Sequence, residues 1–219
     1  PFFEPGLKEL VSKVVDSQKL SFIFGAANAS KDAEFHFICL PTPANEDGSS
    51  DLSFFEKGIN EISSVLKPNS IVVNKSTVPL GTAKKIQKAL GRKDAHVVSN
   101  PEFLSEGSAL KDFLEPARIV IGANSMEHSE RVAELYSEID APILMNSWES
   151  AELIKHTANA FLAMKLTFVN EIATLCEITG ADIRDVTSGI GHDPRIGSEY
   201  MQAGPGWGGS CFPKDSASL

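Results

Sequence analysis

Short apolar runs alternate with amphipathic segments along residues 1–146. Continuous apolar runs bounded by proline, glycine or asparagine are typical of strands buried on both faces, whereas apolar residues that recur every three or four positions indicate helices. The runs predict strands at 20–24, 35–40, 70–75, 95–99, 118–121 and 142–145. The periodic segments predict helices of about ten residues from Leu7, from a cap at Asp51 to 66, and over about 82–90, 100–113 and 127–139.

This alternation predicts an α/β fold with a partial Rossmann-like, doubly wound parallel sheet. In such sheets, ligands bind at loops that follow the carboxyl ends of the strands. Three loops of unusual composition occupy such ends, at Leu40–Ala44, Ser76–Val78 and Asn100–Glu106. We therefore expect a small-molecule site at this edge of the sheet.

The pattern changes after the last predicted strand. One long helix is predicted over 147–179, and it ends at a glycine. Its second half is apolar nearly all round, which predicts burial against another domain or subunit. Shorter helices are predicted over about 182–188 and 193–200. We expect a sheet domain over 1–146 and a helical domain over 147–219.

Composition excludes several classes of protein. The 219 residues carry 20 basic and 29 acidic side chains, a net charge of -9, and no cluster of basic residues, which argues against a nucleic-acid partner. No apolar run approaches the roughly 20 residues that span a membrane. Three cysteines without paired spacing favour a reducing cytoplasm over a disulfide framework. Because the first residue is Pro1, the chain is expected to be a piece of a longer protein.

The segment Gly204–Asp215, GPGWGGSCFPKD, carries the most distinctive chemistry. Its four glycines and two prolines predict a shaped loop rather than a helix or strand. Cys211 lies in this loop as a candidate nucleophile, and Lys214 nearby favours its thiolate form. A tight turn with a buried structural cysteine explains the same residues, so both interpretations stay open at this point.

Two further pairs of polar residues are candidates for catalysis. Glu102 and Glu106, four residues apart, are suited to sharing acid and base roles. The alternative is a helix capped by Asn100 with two solvated carboxylates. Lys155 and Asn159 share one face of the long helix, where a buried lysine serves as a base or stabilises negative charge.

Other polar residues carry weaker signals. Thr42, between two prolines, and Thr77, two residues before Pro79, lie in strand-end loops, where both nucleotide binding and turn chemistry would explain them. His156 and His192 have no second histidine or cysteine at ligand spacing, so no metal is expected. A glycine-rich G-x-G-x-x-G turn followed by an acidic residue about 20 positions later, which a dinucleotide-binding domain should supply, is absent from the sequence.

Taken together, these stretches resemble the UDP-glucose/GDP-mannose dehydrogenase family. The resemblance covers nearly the whole chain in order, and its last motif is highly specific. The stretches are EPGL (Glu4–Leu7), Asp32–Ser53 with PTP and EDGSSDLS, KSTVP (Lys75–Pro79), NPEFLSEG (Asn100–Gly107), PARIVIG (Pro116–Gly122), KHTANAFL (Lys155–Leu162), Arg195–Gly197 and GPGWGGSCFPKD.

The resemblance implies an NAD-dependent, four-electron oxidation of the C6 hydroxyl of a nucleotide-linked hexose. It implies that Cys211 forms a thiohemiacetal and then a thioester, which water hydrolyses with Glu102 as general base. Lys155 would stabilise the oxyanion, and Asn159 and Asp215 would orient water. UDP-glucose is the expected substrate, and GDP-mannose is the alternative.

The family's residues map onto this chain as three overlapping sets. The implied catalytic residues are Cys211, Lys155, Glu102, Asn159, Asp215 and Thr77. The implied cofactor contacts are Leu40, Pro41, Thr42, Pro43, Ala44, Ser76, Thr77, Val78, Glu106 and Lys214. The implied substrate contacts are Glu102, Phe103, Leu104, Glu106, Lys155, Asn159, Arg195, Gln202, Gly204, Gly206, Trp207 and Gly208.

The resemblance also implies a homodimer or larger homo-oligomer packed along the long helix. In this arrangement Arg195 would reach the neighbouring subunit's substrate site. Two hypotheses from other classes stay open. One is a non-catalytic, helix-mediated assembly domain of the same fold, and the other is a cysteine hydrolase, which would turn over without NAD.

Overall fold

The computed structural model describes residues 3–209, 212–217 and 219. Two compact units divide the chain: the first comprises the described residues of Pro1–Thr42 and Asp51–Lys155, and the second those of Pro43–Ser50 and His156–Leu219. The strands are β1 (Phe35–Ile38), β2 (Ser70–Asn74), β3 (Ala95–Ser99), β4 (Ile119–Ala123) and β5 (Ile143–Asn146). The helices are α1 (Leu7–Asp16), α2 (Ala26–Ser30), α3 (Ser53–Ser63), α4 (Thr82–Leu90), α5 (Ala109–Leu114), α6 (Met126–Glu134), α7 (Trp148–Thr179), α8 (Ile183–Gly191) and α9 (Phe212–Ala217).

The first unit contains a five-stranded sheet in the order β1-β2-β3-β4-β5. All neighbouring strands are parallel except β3 and β4, which are antiparallel, with Ser99 opposite Gly122. The α/β class is confirmed, but the expectation of a wholly parallel sheet is wrong at this pair. A parallel connection needs a crossover that returns the chain to the other end of the strand. Residues 100–118 contain one helix of six residues, α5, and do not make such a crossover, so β4 runs opposite to β3.

Helices cover both faces of this sheet, as in a doubly wound fold. On one face α3 and α4 pack over a core that includes Val72 and Val97. On the other face α6 packs over Ile71, Val73 and Val98. Successive side chains of a strand point to opposite faces, so β2 contributes to both cores and is fully buried.

The long helix begins and ends close to the predicted residues. At its start it approaches β4 at Gly122, where an added Cβ would lie 2.5 Å from the Cβ of Ala151 and 2.6 Å from the carbonyl oxygen of Ser147. At its end Gly180 adopts a φ of 77°, and its N–H donates to the carbonyl of Cys176. A glycine thus permits close packing at one end and the left-handed turn at the other.

Burial of the second half of α7 was predicted, and the structure supports it only on one side. Ala163, Val169 and Cys176 are buried. The opposite side exposes a row of large apolar residues, which we call the apolar stripe of α7. Its members are Phe161, Met164, Phe168, Leu175 and Ile178. Within the described ranges, no helix is both long and apolar enough to cross a membrane.

Two predicted elements do not form. Residues 20–24 make no strand, and Phe22 and Phe24 are 80% and 98% exposed. Residues 193–200 form turns instead of a helix. The Asp193 carboxylate accepts from the backbone N–H of Arg195 and pairs with its guanidinium, and Gly197 has a φ of 72°. These local bonds compete with helical hydrogen bonds, so the apolar spacing alone was misleading.

Candidate active site

The first unit brings Glu102 and Lys155 together, although they lie 53 residues apart in sequence. The ammonium nitrogen of Lys155 is 3.2 Å from Oε1 of Glu102. The lysine side chain is only 5% exposed, whereas the glutamate side chain is 29% exposed. A buried cation needs such a partner, because desolvation of an unpaired charge costs several kcal/mol. The pair therefore presents a partly accessible carboxylate beside a buried positive charge.

The segment that carries Glu102 is not helical, so the predicted helix over 100–113 is wrong for its first half. The second carboxylate oxygen of Glu102 accepts from the N–H of Leu104, 2.6 Å away. The ring of Phe103 contacts two cations, with the Arg118 guanidinium 3.7 Å and the Lys155 ammonium 5.3 Å from its centroid. Glu106 is exposed, and it does not share a helix face with Glu102.

Asn100 explains why no helix starts at this point. Its side-chain amide donates to the carbonyl of Val120, 2.8 Å away, instead of capping the following turn. Its amide oxygen accepts from Lys75, 3.1 Å away, and from the hydroxyl of Tyr136. Asn100 thus joins three elements of the sheet domain, and the prediction of a helix cap is wrong.

Lys75 and Tyr136 are residues of this region that sequence reasoning missed. They line a cavity of about 270 Å³ together with Glu102, Phe103 and Arg118. Burial lowers the pKa of Lys75, and the neighbouring Cys39 and Glu102 oppose that shift. Burial raises the pKa of Tyr136 to about 12. Lys75 could have been recognised as a candidate site residue because it directly follows the buried strand β2.

The two predicted cofactor loops of the first unit are joined by hydrogen bonds. The Ser76 hydroxyl donates to the carbonyl of Leu40, 2.7 Å away, and the Thr42 hydroxyl donates to that of Thr77, 2.8 Å away. These bonds hold the carboxyl ends of β1 and β2 side by side. Val78 is buried in the core, so only its backbone is suited to contacting a ligand.

The last two residues of the predicted loop Leu40–Ala44 belong to the second unit. Pro43 and Ala44 are exposed there, in a loop closed by a bridge between Ala44 and Ser50. In the first unit the joined loops carry only uncharged side chains and follow the carboxyl ends of parallel strands, which is where dinucleotides bind in this class of fold. The residues present therefore fit part of a dinucleotide site.

The second unit holds a buried group around Asp215. The Asn159 amide donates to Oδ2 of Asp215 at 2.5 Å, and the Lys214 ammonium is 2.8 Å from Oδ1. The Asp215 carbonyl is 3.3 Å from Nδ1 of His156. Asp215 is only 1% exposed, and its carboxylate is stabilised by the Asn159 amide and the Lys214 ammonium. The predicted catalytic pair Asn159 and Asp215 is thus in direct contact.

Cys211 lies outside the described residues. The loop predicted over Gly204–Asp215 is wrong at its end, because Phe212–Ala217 form α9. Pro213 lies in the first turn of that helix, where its missing N–H removes no intrahelical bond. Lys214 and Asp215 are therefore presented by a helix.

The glycine-rich segment before Cys211 is attached to α7. The N–H of Gly204 donates to Oδ1 of Asn170, and the indole N–H of Trp207 donates to the Thr167 hydroxyl. Gln202, Gly206 and Gly208 are exposed. Sequence reasoning missed Thr167 and Asn170, although polar residues on an otherwise apolar helix half are a usable signal.

Arg195 lies on an exposed turn. Its side chain is 87% exposed and pairs with Asp193 at 2.6 Å. Contact with the substrate site of another subunit is not tested by this geometry and stays a prediction.

Comparison with known proteins identifies the family. Residues 1–140 match the NAD-binding domain of the UDP-glucose/GDP-mannose dehydrogenase family, and residues 149–219 match its central domain. The chain belongs to this family. The membership confirms the predicted resemblance, the Rossmann-like class and NAD as the cofactor of the family's domain.

Several members of the dehydrogenase family are similar to the whole chain. UDP-glucose 6-dehydrogenase of Rhizobium meliloti (strain 1021) is 45% identical over 229 residues, and UDP-glucose 6-dehydrogenase TuaD of Bacillus subtilis (strain 168) is 43% identical over 224. Both matches cover 100% of this chain, but 52% and 49% of those proteins. A UDP-glucose dehydrogenase structure from Pyrobaculum islandicum superposes with a TM-score of 0.93 at 41% identity, covering 99% of this chain and 52% of that one. The chain thus spans about half the length of the relatives that it matches.

Proposed function

We propose that the full-length protein oxidises UDP-glucose to UDP-glucuronate with NAD. The observation that carries this proposal is the pair of Lys155 and Glu102. Its buried ammonium is suited to stabilising an oxyanion, and its carboxylate, 29% exposed, is accessible to water as a general base. Similarity to UDP-glucose 6-dehydrogenases at 43–45% identity supports this choice of substrate.

In the proposed mechanism, the C6 alcohol first releases its hydroxyl proton to solvent and loses a hydride, which gives an aldehyde. NAD supplies the hydride acceptor for both oxidations. The thiolate of Cys211 adds to C6, and Lys155 stabilises the negative oxygen of the thiohemiacetal. Loss of the second hydride leaves a thioester. Glu102 accepts a proton from the attacking water, the carbon–sulfur bond breaks, and Cys211 leaves as thiolate.

Asn159 and Asp215 are proposed to orient the water and its hydrogen bonds. Their mutual bond fixes the orientation of the Asn159 amide, which supports a positioning role. Thr77 completes the proposed catalytic set. Leu40–Ala44, Ser76–Val78, Glu106 and Lys214 are proposed cofactor contacts, and the segment from Gln202 to Gly208 is proposed to wrap the sugar nucleotide.

Stoichiometry tests the mechanism. The full-length wild-type protein should form two NADH per UDP-glucose consumed, because both oxidations occur before release of the acid. Cys211→Ser should block formation of the acid, whereas Cys39→Ser, at an exposed cysteine, should keep both products. Formation of one NADH per product would contradict the thioester mechanism.

A substrate panel tests the alternative, GDP-mannose. NADH formation should be fastest with UDP-glucose when compared with GDP-mannose and UDP-N-acetylmannosamine. Substrate protection of the cysteines then distinguishes an enzyme from a non-catalytic assembly domain. Because Cys39 is exposed, fast alkylation alone is not diagnostic, but only Cys211 should be protected by substrate.

We further propose that the protein acts as a homodimer or larger homo-oligomer in which a second copy covers the apolar stripe of α7. The stripe has the three- and four-residue spacing of a helix–helix contact. The domain boundary between 146 and 147 and the cytoplasmic location stay predictions.

A further inference from the structure

The N-terminus of α4 is capped by a residue from a distant helix. Its N-cap residue is Gly81, with a φ of 83°, which has no side chain to cap the helix. Glu152 of α7 takes this role. Its Oε2 accepts from the N–H of Gly81 at 2.6 Å, and its Oε1 accepts from the N–H of Ala83 at 2.8 Å. Glu152 is only 3% exposed.

This contact is stronger than an ordinary surface cap. The first N–H groups of a helix have no intrahelical partner, and the helix dipole favours a negative charge there. Hydrogen bonds to a carboxylate are shorter and about twice as strong as neutral ones. Since each carboxylate oxygen binds a different N–H, the pair of bonds also fixes the position of residues 81–83 relative to the start of α7.

The capped helix directly follows the predicted cofactor loop. The near end of that loop is fixed where the Ser76 hydroxyl binds the carbonyl of Leu40, and the Thr77 carbonyl accepts from Thr42. The far end continues through Pro79, whose carbonyl accepts from the Thr82 hydroxyl at 2.6 Å. Glu152 therefore anchors the segment that directly follows the loop in the chain.

The same part of α7 also contacts Glu102. Lys155 follows Glu152 by three residues, less than one helical turn, and pairs with Glu102. The first turns of α7 thus hold both the helix behind the cofactor loop and the carboxylate proposed as general base.

We propose that Glu152 is a positioning residue for NAD: it holds the loop Ser76–Val78 in the geometry that the cofactor requires. This inference rests on the proposed function. Loss of this anchor should impair NAD binding selectively, because it displaces the cofactor loop and leaves the Lys155–Glu102 pair in place.

Binding measurements on the full-length protein test the proposal. Glu152→Gln keeps the size of the side chain but replaces one acceptor oxygen with an NH2 group, which breaks one of the two bonds. The Kd for NAD, measured by fluorescence titration without turnover, should rise about tenfold or more, which corresponds to about 1.4 kcal/mol. The Kd for UDP-glucose should change less than twofold. Hydrogen exchange should accelerate at the amides of Gly81 and Ala83.

Asp182→Asn is the matched control. Asp182 caps α8 through a bond of 2.8 Å from the N–H of Arg184, so this variant also weakens a carboxylate cap. It should leave the Kd for NAD unchanged. Glu152→Asp, which keeps the charge on a shorter side chain, should lie between wild type and Glu152→Gln, and it provides the measurement if the glutamine variant does not fold.

Two outcomes would overturn the inference. In the first, Glu152→Gln weakens NAD binding no more than Asp182→Asn does. In the second, Glu152→Gln weakens the binding of NAD and of UDP-glucose equally. Failure of the proposed function looks different. In that case the wild-type protein itself would neither bind NAD nor form two NADH per UDP-glucose.

Discussion

Lys155 and Asp215 are almost completely buried, and each has a partner of opposite charge, at 3.2 Å and 2.8 Å respectively. Burial makes such groups sensitive to their neighbours, since an unmatched charge or hydrogen bond in the interior costs free energy that water would otherwise supply. Single substitutions at their partners should therefore have measurable effects on stability as well as activity.

Asn159→Ala should lower the free energy of unfolding by about 1–3 kcal/mol, because it removes a hydrogen bond to the buried carboxylate of Asp215. Urea denaturation of the full-length protein measures this change. Asn170→Ala is the control on the same helix, since its bond to the N–H of Gly204 is exposed. An equal decrease in the free energy of unfolding in the two variants would show that burial does not strengthen the effect of losing this hydrogen bond.

His128 should make the protein less stable in acid. Burial lowers its pKa, and the ring of His96, stacked at 3.7 Å, and Arg131 lower it further, while Glu127 opposes them. A lowered pKa means that the folded state prefers the neutral ring. Its contribution to stability is thus complete above the ordinary pKa of 6.5 and is lost as the pH falls below that value.

Substitution of His128 tests this expectation. The decrease in the free energy of unfolding between pH 7.5 and pH 5 should be smaller in His128→Gln than in wild type. Some decrease should remain, because burial also lowers the pKa of His36. Equal acid sensitivity of the variant and wild type would show that the charged form of His128 is not disfavoured in the fold.

At the scale of elements, glycines have opposite roles at the end of α7 and inside α8. Gly180→Ala should destabilise the protein by about 1 kcal/mol, because its φ of 77° strains any residue with a Cβ. Gly189→Ala should instead stabilise it by about 0.5–1 kcal/mol, because alanine favours a helix interior.

These two substitutions form a matched pair. Beyond the adjoining backbone, an added Cβ has no described atom within 4 Å at either position, so tertiary packing contributes to neither effect. Thermal unfolding of both variants should give shifts of opposite sign. Shifts of the same sign would mean that backbone conformation does not dominate at Gly180.

Elements were predictable where local signals agreed with the tertiary fold. The helix over 82–90 and the strand over 95–99 have the predicted bounds. Residues 100–108 were assigned to a helix because Asn100 and Pro101 are typical of a helix start, yet the amide of Asn100 binds Val120. The direction of β4 was equally hidden, because it depends on the path of the connection that precedes it rather than on the strand itself.

At the scale of the whole molecule, the apolar stripe of α7 should determine the oligomeric state. Phe168→Lys should shift the full-length protein from dimer or larger oligomer towards monomer, because a charge in an apolar interface is costly. Sedimentation velocity measures this shift. Phe54→Lys on α3 is the control, since Phe54 and Phe168 are similarly exposed, at 54% and 51%. Dissociation of both variants, or of neither, would contradict the assignment of the interface to α7.

The sequence by itself determined the α/β class, the ends of α4 and α7, and which residue types carry the candidate chemistry. Those properties depend on backbone preferences and side-chain spacing within a few residues. Only the tertiary structure decided that Lys155 pairs with Glu102, that Glu152 caps α4, and that β4 reverses direction. The two pairings join residues 53 to 71 positions apart, and such distances are set by packing of whole elements rather than by local sequence.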